Sequence, residues 1–210
     1  MSDSLRRELL EAARAMNASG INTGTSGNLS LRSGQGMLIT PSGMPYEKLL
    51  PEDLVCMDSA GRAENELQPS SEWRIHHDIY RQRPEVGAIV HAHPVHCAAL
   101  ACLNRPIPAF HYMVAIAGGR DIRCAPYATF GTQELSDHVA AALRGRKACL
   151  MANHGLLATG ATPGAALALA IEVEGLARTY LQCLAVGEPV LLPDDEMDRV
   201  LEKFQSYGAH

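Results

Sequence analysis

The segment PSSEWRIHHDIYRQRPEVGAIVHAHPVH, residues 69–96, constrains this chain more than any other. Its first half places Trp73, His76, His77 and Tyr80 at helical spacing behind Pro69, Ser70 and Ser71, which predicts a capped helix start. In the second half, from Gly87 to His93, the apolar Ala88, Ile89 and Val90 lead into His-Ala-His, the pattern of a strand. Residues two apart on a strand point the same way, so His91 and His93 share a face. Pro94 cannot continue a central ladder. The histidine pair is therefore expected at the carboxyl end of its strand, where open α/β sheets tend to hold ligands.

Each of these residues also has an ordinary structural reading. An H-x-H pair on a half-exposed strand can be two polar residues facing water. Glu72 can be an acidic residue in the first turn of a helix, where the macrodipole favours a negative charge by roughly 0.3–1 kcal/mol. His76 and His77 read as ordinary helix residues. A lone His154 before Gly155 reads as a loop residue, but it follows the short apolar strand expected over Lys147 to Met151, and so stands at a strand end as His93 does. Three imidazoles brought from two strand ends make the His₃ set of an open zinc site.

The rest of the chain supplies a frame for these residues. Ser4 is placed to cap a helix with Leu5, Leu9, Ala12, Ala13 and Met16 on one face, and Gly20 to end it. In INTGTSGNLSLR the small residues Gly24, Thr25, Ser26, Gly27 and Asn28 precede an alternating strand; they can bring amide and hydroxyl donors to an anion, or form a plain turn. A hairpin turn at Gly34 to Gly36 leads to Met37–Thr40, and a compact turn, Pro41 to Pro45, follows. Further helices are expected over Val95 to Leu103, Glu134 to Leu143 behind Thr129 or Thr132, and Asp194 to Phe204. A long helix should run from Thr162 and Pro163 to Val186, with Gly187 as its stop. Ile122 to Ala125 and Leu156 to Thr159 read as extended.

At 210 residues the chain fits a single domain, residues 1–210, able to bury roughly 70% of its unfolded surface. A net charge of −5 and a pI near 6.0 provide no electrostatic footprint for nucleic acid. Cys56, Cys97, Cys102, Cys124, Cys149 and Cys183 have no C-x-x-C spacing and read as small core residues of a reducing compartment. The amino terminus carries alternating charge where a signal peptide needs an apolar stretch, and no segment reads as a membrane span. A cytoplasmic protein with no membrane partner is expected.

The segments INTGTSGNLSLR, MLITPSGMPYEKL, PSSEWR, IVHAHPVHC, HYM, CAPYATFGT, NHGL and FQSYG, in that order, resemble the class II aldolase/adducin family over nearly the whole length, and more narrowly its L-fuculose-phosphate aldolases. The resemblance implies an α/β (α+β) fold with a central, mainly antiparallel sheet and helices on both faces. It implies a lyase that reversibly splits L-fuculose 1-phosphate into dihydroxyacetone phosphate and L-lactaldehyde, with one zinc per subunit or another divalent metal in its place. His91, His93 and His154 would bind the metal. Glu72 would be the acid and base and would also reach the metal, and Tyr112 would act on the aldehyde oxygen. Gly27, Asn28, Ser42, Gly43, Ser70 and Ser71, with Thr25, would hold the phosphate of a sugar-phosphate substrate. Phe130 and Tyr207 would line the aldehyde side with Tyr112, partly from a neighbouring subunit of a homotetramer. Without the resemblance, Tyr112 and Tyr207 read as packed aromatics and Phe130 as core.

Two departures stand out: Ala92 between the ligands, and Met151, Ala152 and Asn153 before His154, where relatives often carry polar or histidine residues. Other members suggest alternatives, namely a 5-deoxypentulose-phosphate aldolase, a methylthioribulose-phosphate dehydratase or a pentulose-phosphate 4-epimerase. Glu72 argues against the epimerases, which favour aspartate there. The adducin branch, a non-enzymatic interaction module without the metal set, would not need the three histidines and Glu72.

Overall fold

The computed structural model describes residues 3–64 and 66–206. Its strands are β1 (Asn28–Ser33), β2 (Gly36–Ile39), β3 (Val55–Met57), β4 (Ala88–Ala92), β5 (Cys124–Ala125), β6 (Ala148–Met151) and β7 (Gly155–Gly160). They form one seven-stranded sheet in the order β3-β2-β1-β4-β7-β6-β5. Every neighbouring pair is antiparallel except β5 with β6. The helices are α1 (Asp3–Ala18), α2 (Trp73–Gln82), α3 (Val95–Cys102), α4 (Gln133–Ala142), α5 (Pro163–Val186) and α6 (Asp194–Ser206).

Alternation along the strands sends one set of apolar side chains to each side of the sheet. Ala88, Val90 and Ala92 of β4 join Leu29, Leu31, Leu150 and Leu156 under α1, α3 and α5. Ile89 faces the other way, with Ile39, Cys149 and Leu157, under Ile75 and Ile79 of α2 and Leu135 and Val139 of α4. This is the mainly antiparallel α+β sheet, helices on both faces, that the resemblance implied. His91 stands near the end of β4 and His93 one residue past it, the strand stopping at Ala92, but their neighbours β1 and β7 are antiparallel. The rule for open parallel sheets is thus not what places them.

Most boundaries follow local chemistry. Thr132, not Thr129, caps α4, and Thr162 caps α5 with Pro163 behind it, each hydroxyl accepting a backbone N–H one turn in. Ser4 caps nothing, because α1 already includes it. Cys56, Cys97 and Cys149 are buried as expected; Cys124 and Cys183 are half-buried and Cys102 is exposed, and no disulfide joins the six. Among the described residues no helix is long and apolar enough to cross a membrane.

One contact between helices bears on the site. Pro94 stands at the N-cap of α3 and offers no side-chain acceptor. Glu174 of α5 supplies what is missing: its carboxylate accepts the backbone N–H of His96 (3.0 Å) and of Cys97 (2.9 Å), and the His96 Nδ1–H (2.7 Å). The start of α3, directly after His93, is thereby tied to the long helix.

Candidate active site

Glu72, His91, His93 and His154 each bring one ligand atom to within 4.8 Å of the others. His91 is the last but one residue of β4, and its Nδ1–H donates to the Leu156 carbonyl of the adjacent strand at 2.9 Å, which turns Nε2 into the cluster. That Nε2 lies 3.0 Å from His93 Nε2 and 3.0 Å from Glu72 Oε2. His154 sits in the tight turn between β6 and β7, where Asn153 adopts a left-handed conformation (φ 53°), and its Nε2 is 3.4 Å from Glu72 Oε1. Gly155 makes the approach possible, since a Cβ there would lie 2.5 Å from the Ala92 carbonyl and 2.7 Å from the His93 ring.

Glu72 occupies the N-cap position of α2, yet its side chain makes no capping bond. Instead Oε2 accepts Asn28 Nδ2–H at 3.1 Å, while Oε1 is buried and has no hydrogen-bond partner among the described residues. Burial alone would favour the neutral acid, but the adjoining His91, and after it His154 and the Asn28 amide, hold this carboxyl well below the usual carboxylate range. The reverse competition acts on His91: burial would lower its basicity, and the Glu72 carboxylate raises it. Burial, with the charge of His91 next to them, pushes His93 and His154 down to about 4. Both rings are therefore neutral near pH 7 and have lone pairs to offer.

A divalent cation suits this set. The converging donors are imidazole nitrogens and a carboxylate, the chemistry of open transition-metal sites, and an orphaned buried carboxylate oxygen is otherwise costly to maintain.

Three short loops of small residues meet at the Glu72 end of the sheet. Pro41 bridges to Pro69, Ser42 N–H donates to the Gln68 carbonyl (3.0 Å), and Ser70 N–H donates to that of Thr40 (3.1 Å). Tyr46 Oη–H donates to the Gly27 carbonyl, fastening the first loop to the second. Gly27 also has to be glycine: a Cβ would lie 2.7 Å from the His91 carbonyl. Thr25, Ser42, Gly43 and Ser71 are exposed on these loops, whereas Ser70 is buried and its Oγ accepts the Glu72 N–H at 3.3 Å. The Asn28 side chain is committed to Glu72 and His76.

The aromatic residues are placed differently. Phe130 is 65% exposed, next to Gly131, whose carbonyl accepts Arg74 Nη1–H at 3.0 Å and whose backbone packs on Ser71. Tyr112 is 51% exposed, opens the 3₁₀ segment Tyr112–Ala117 and stacks on His111, beside a cavity whose lining includes none of the four clustered side chains. Phe130 is thus not core. Tyr207 lies outside the described residues.

His76 was missed. It is completely buried, one turn along α2 from Glu72, with its ring between Ser30 and Asn28. The spacing of Glu72 and His76, four residues on a helix, was the available signal.

Residues 7–181 match the family model for the class II aldolase and adducin N-terminal domain. The chain is 59% identical over 204 residues to the 5-methylthioribulose-1-phosphate/5-deoxyribulose-1-phosphate aldolase of Rhodospirillum rubrum, covering 97% of this chain and 92% of that one. It is 54% identical over 205 residues to an L-fuculose phosphate aldolase of Escherichia coli, covering 97% and 95%. Among solved structures, an L-fuculose 1-phosphate aldolase of 43% identity superposes with a TM-score of 0.95 over 98% of both chains.

Proposed function

The chain belongs to the class II aldolase and adducin family, and we propose that it splits a ketose 1-phosphate between C3 and C4 into dihydroxyacetone phosphate and a short aldehyde. The observation that carries this is the convergence of three imidazoles on a buried carboxylate with one unpaired oxygen. Class II aldolases are metal dependent, and in this reading His91, His93 and His154 hold one zinc, or another divalent ion, with Glu72 in reach of it. When bound, that ion supplies positive charge to a substrate whose cleavage leaves negative charge on oxygen, an effect worth several kcal/mol.

The protein's own groups do the rest. Glu72, as a carboxylic acid, delivers a proton to the C3 carbon freed by cleavage; in condensation the carboxylate removes it again. Backbone amides and hydroxyls of Thr25, Gly27, Ser42, Gly43, Ser70 and Ser71 hold the phosphate, with Asn28 serving there through its backbone while its amide steers Glu72. In condensation the Tyr112 hydroxyl donates its proton to the new alkoxide. Phe130 and Tyr207 line the aldehyde side, where exposed Tyr112 and Phe130 leave room for a second subunit of a homotetramer.

For the aldehyde half there are two readings. L-Fuculose 1-phosphate, giving L-lactaldehyde, is supported by the relative at 54% identity and the solved structure at 43%. The 5-deoxy and 5-methylthio ribulose 1-phosphates, giving acetaldehyde and methylthioacetaldehyde, are supported by the relative at 59%. All three substrates share the phosphorylated half and end in an apolar group. Purified protein offered each should release dihydroxyacetone phosphate from at least one, lose that activity on chelation and regain it with zinc. Normal turnover by fully metal-free protein would overturn the proposal, and the identity of the aldehyde decides between the readings.

A further inference from the structure

We propose that His76 is a positioning residue for Glu72: a one-way chain of buried hydrogen bonds through its ring fixes the Asn28 amide, so that the carboxylate accepts on Oε2 and carries its mobile proton on Oε1. The inference rests on the reading of Glu72 as acid and base, and deepens it.

The chain runs from Tyr80 Oη to Ser30 Oγ (2.8 Å), to His76 Nδ1 (2.6 Å), and from His76 Nε2 to Asn28 Oδ1 (2.7 Å) and from Asn28 Nδ2 to Glu72 Oε2 (3.1 Å). Tyr80, Ser30, His76 and Asn28 are all buried, so water cannot substitute for a missing partner. Its direction follows from one end. An ionised carboxylate only accepts, so the Asn28 amide must turn its nitrogen to Glu72 and its oxygen to His76. A carbonyl oxygen also only accepts, and His76 must therefore carry its proton on Nε2. Burial keeps the ring neutral, pushing its pKa down to about 3. Nδ1 is then a lone pair, which obliges Ser30 to donate to it; Ser30 has no further proton, so Tyr80 donates to Ser30 at 2.8 Å in preference to the Gly87 carbonyl at 3.5 Å. A reversed chain would set the Asn28 oxygen against Glu72 Oε2, two acceptors face to face.

The consequence falls on Glu72. Oε2 always meets an N–H from Asn28, with His91 Nε2 3.0 Å away. Oε1 has no hydrogen-bond partner among the described residues and lies 3.4 Å from His154 Nε2. A proton taken from substrate is thus directed to the oxygen that the Asn28 amide does not occupy. Without His76 the amide could rotate and the proton could settle on either oxygen.

Two measurements test this on metal-loaded protein. First, the ¹⁵N shifts of the His76 ring, assigned by their loss in His76→Gln, should report a neutral Nε2–H tautomer between about pH 5 and pH 8; the Nδ1–H tautomer or a charged ring would overturn the proposal. This readout needs no turnover, so it can fail or succeed independently of the aldolase reading, which fails if the unaltered protein neither cleaves ketose phosphates nor exchanges the carbon-bound protons of dihydroxyacetone phosphate with solvent. Second, His76→Leu should retain metal and KM but slow both kcat and that exchange by about 10- to 100-fold, whereas His76→Gln, whose amide can donate to Asn28 and accept from Ser30, should restore most of the rate. Loss of metal together with activity in folded His76→Leu, an unchanged exchange rate, or a Gln variant no better than Leu would each overturn it.

Discussion

At the scale of single residues, the cluster separates two tasks that one substitution each can distinguish. His93→Ala removes one of the proposed metal ligands and is expected to lose metal and activity together. Glu72→Gln leaves the three imidazoles in place and is expected to keep metal while losing about 10²–10⁴-fold in rate, the usual worth of a general acid or base; metal analysis beside kinetics checks both, and undiminished turnover in Glu72→Gln would remove that residue from the chemistry. His76 leads to a pH prediction. Held neutral when folded, with its pKa near 3 against an ordinary 6.5, it binds a proton on unfolding anywhere between those values. Stability should thus fall as pH drops below about 6.5, by up to roughly 1.4 kcal/mol per pH unit for each such group. In metal-free protein His93 and His154 add in the same direction, the contribution of His91 is already complete below 6.5, and Glu72 enters only below its ordinary 4.5. Urea midpoints between pH 6.5 and 4.5 should accordingly decline less steeply in His76→Gln. An equal slope would mean that His76 is charged in the folded protein.

At the scale of elements, the weak point is the start of α3, whose N-cap is proline. Glu174 compensates from α5, and because α3 begins two residues after His93, the cap is expected to steady that proposed ligand as well. Glu174→Ala should cost about 1–2 kcal/mol, as removal of a good cap does, and weaken metal binding; Glu174→Gln should fall between. Urea unfolding and metal titration measure the two effects, and unaltered metal affinity in the alanine variant would uncouple the cap from the site. Elements were legible where their signals are local. Thr162 with Pro163 marks a helix start and Gly187 a stop, and α5 begins and ends there. Ser4 misled because an N-cap signal competes with the helix-forming residues around it, and α1 extends past it. The cap provided by Glu174 had no local signal at all, being a contact 77 residues apart.

At the scale of the molecule, Tyr112 and Phe130 are large aromatic groups left at the surface of a single chain. The homotetramer we propose would cover them, and light scattering is expected to find four chains; dilution to monomer should then reduce turnover while metal stays bound. A monomer with full activity would place the aldehyde pocket within one chain. By itself the sequence determined which strand ends in two imidazoles turned the same way, because strand periodicity is a local property of the backbone, and through its motif series it determined the family. Only the tertiary structure decided that His154 meets that pair, that the Glu72 side chain turns from its helix towards them, and that the buried His76 ring bonds the same Asn28 that bonds Glu72. These depend on which strands pair and which helix end abuts them, and pairing is chosen by burial over the whole sheet, which no short stretch of residues encodes.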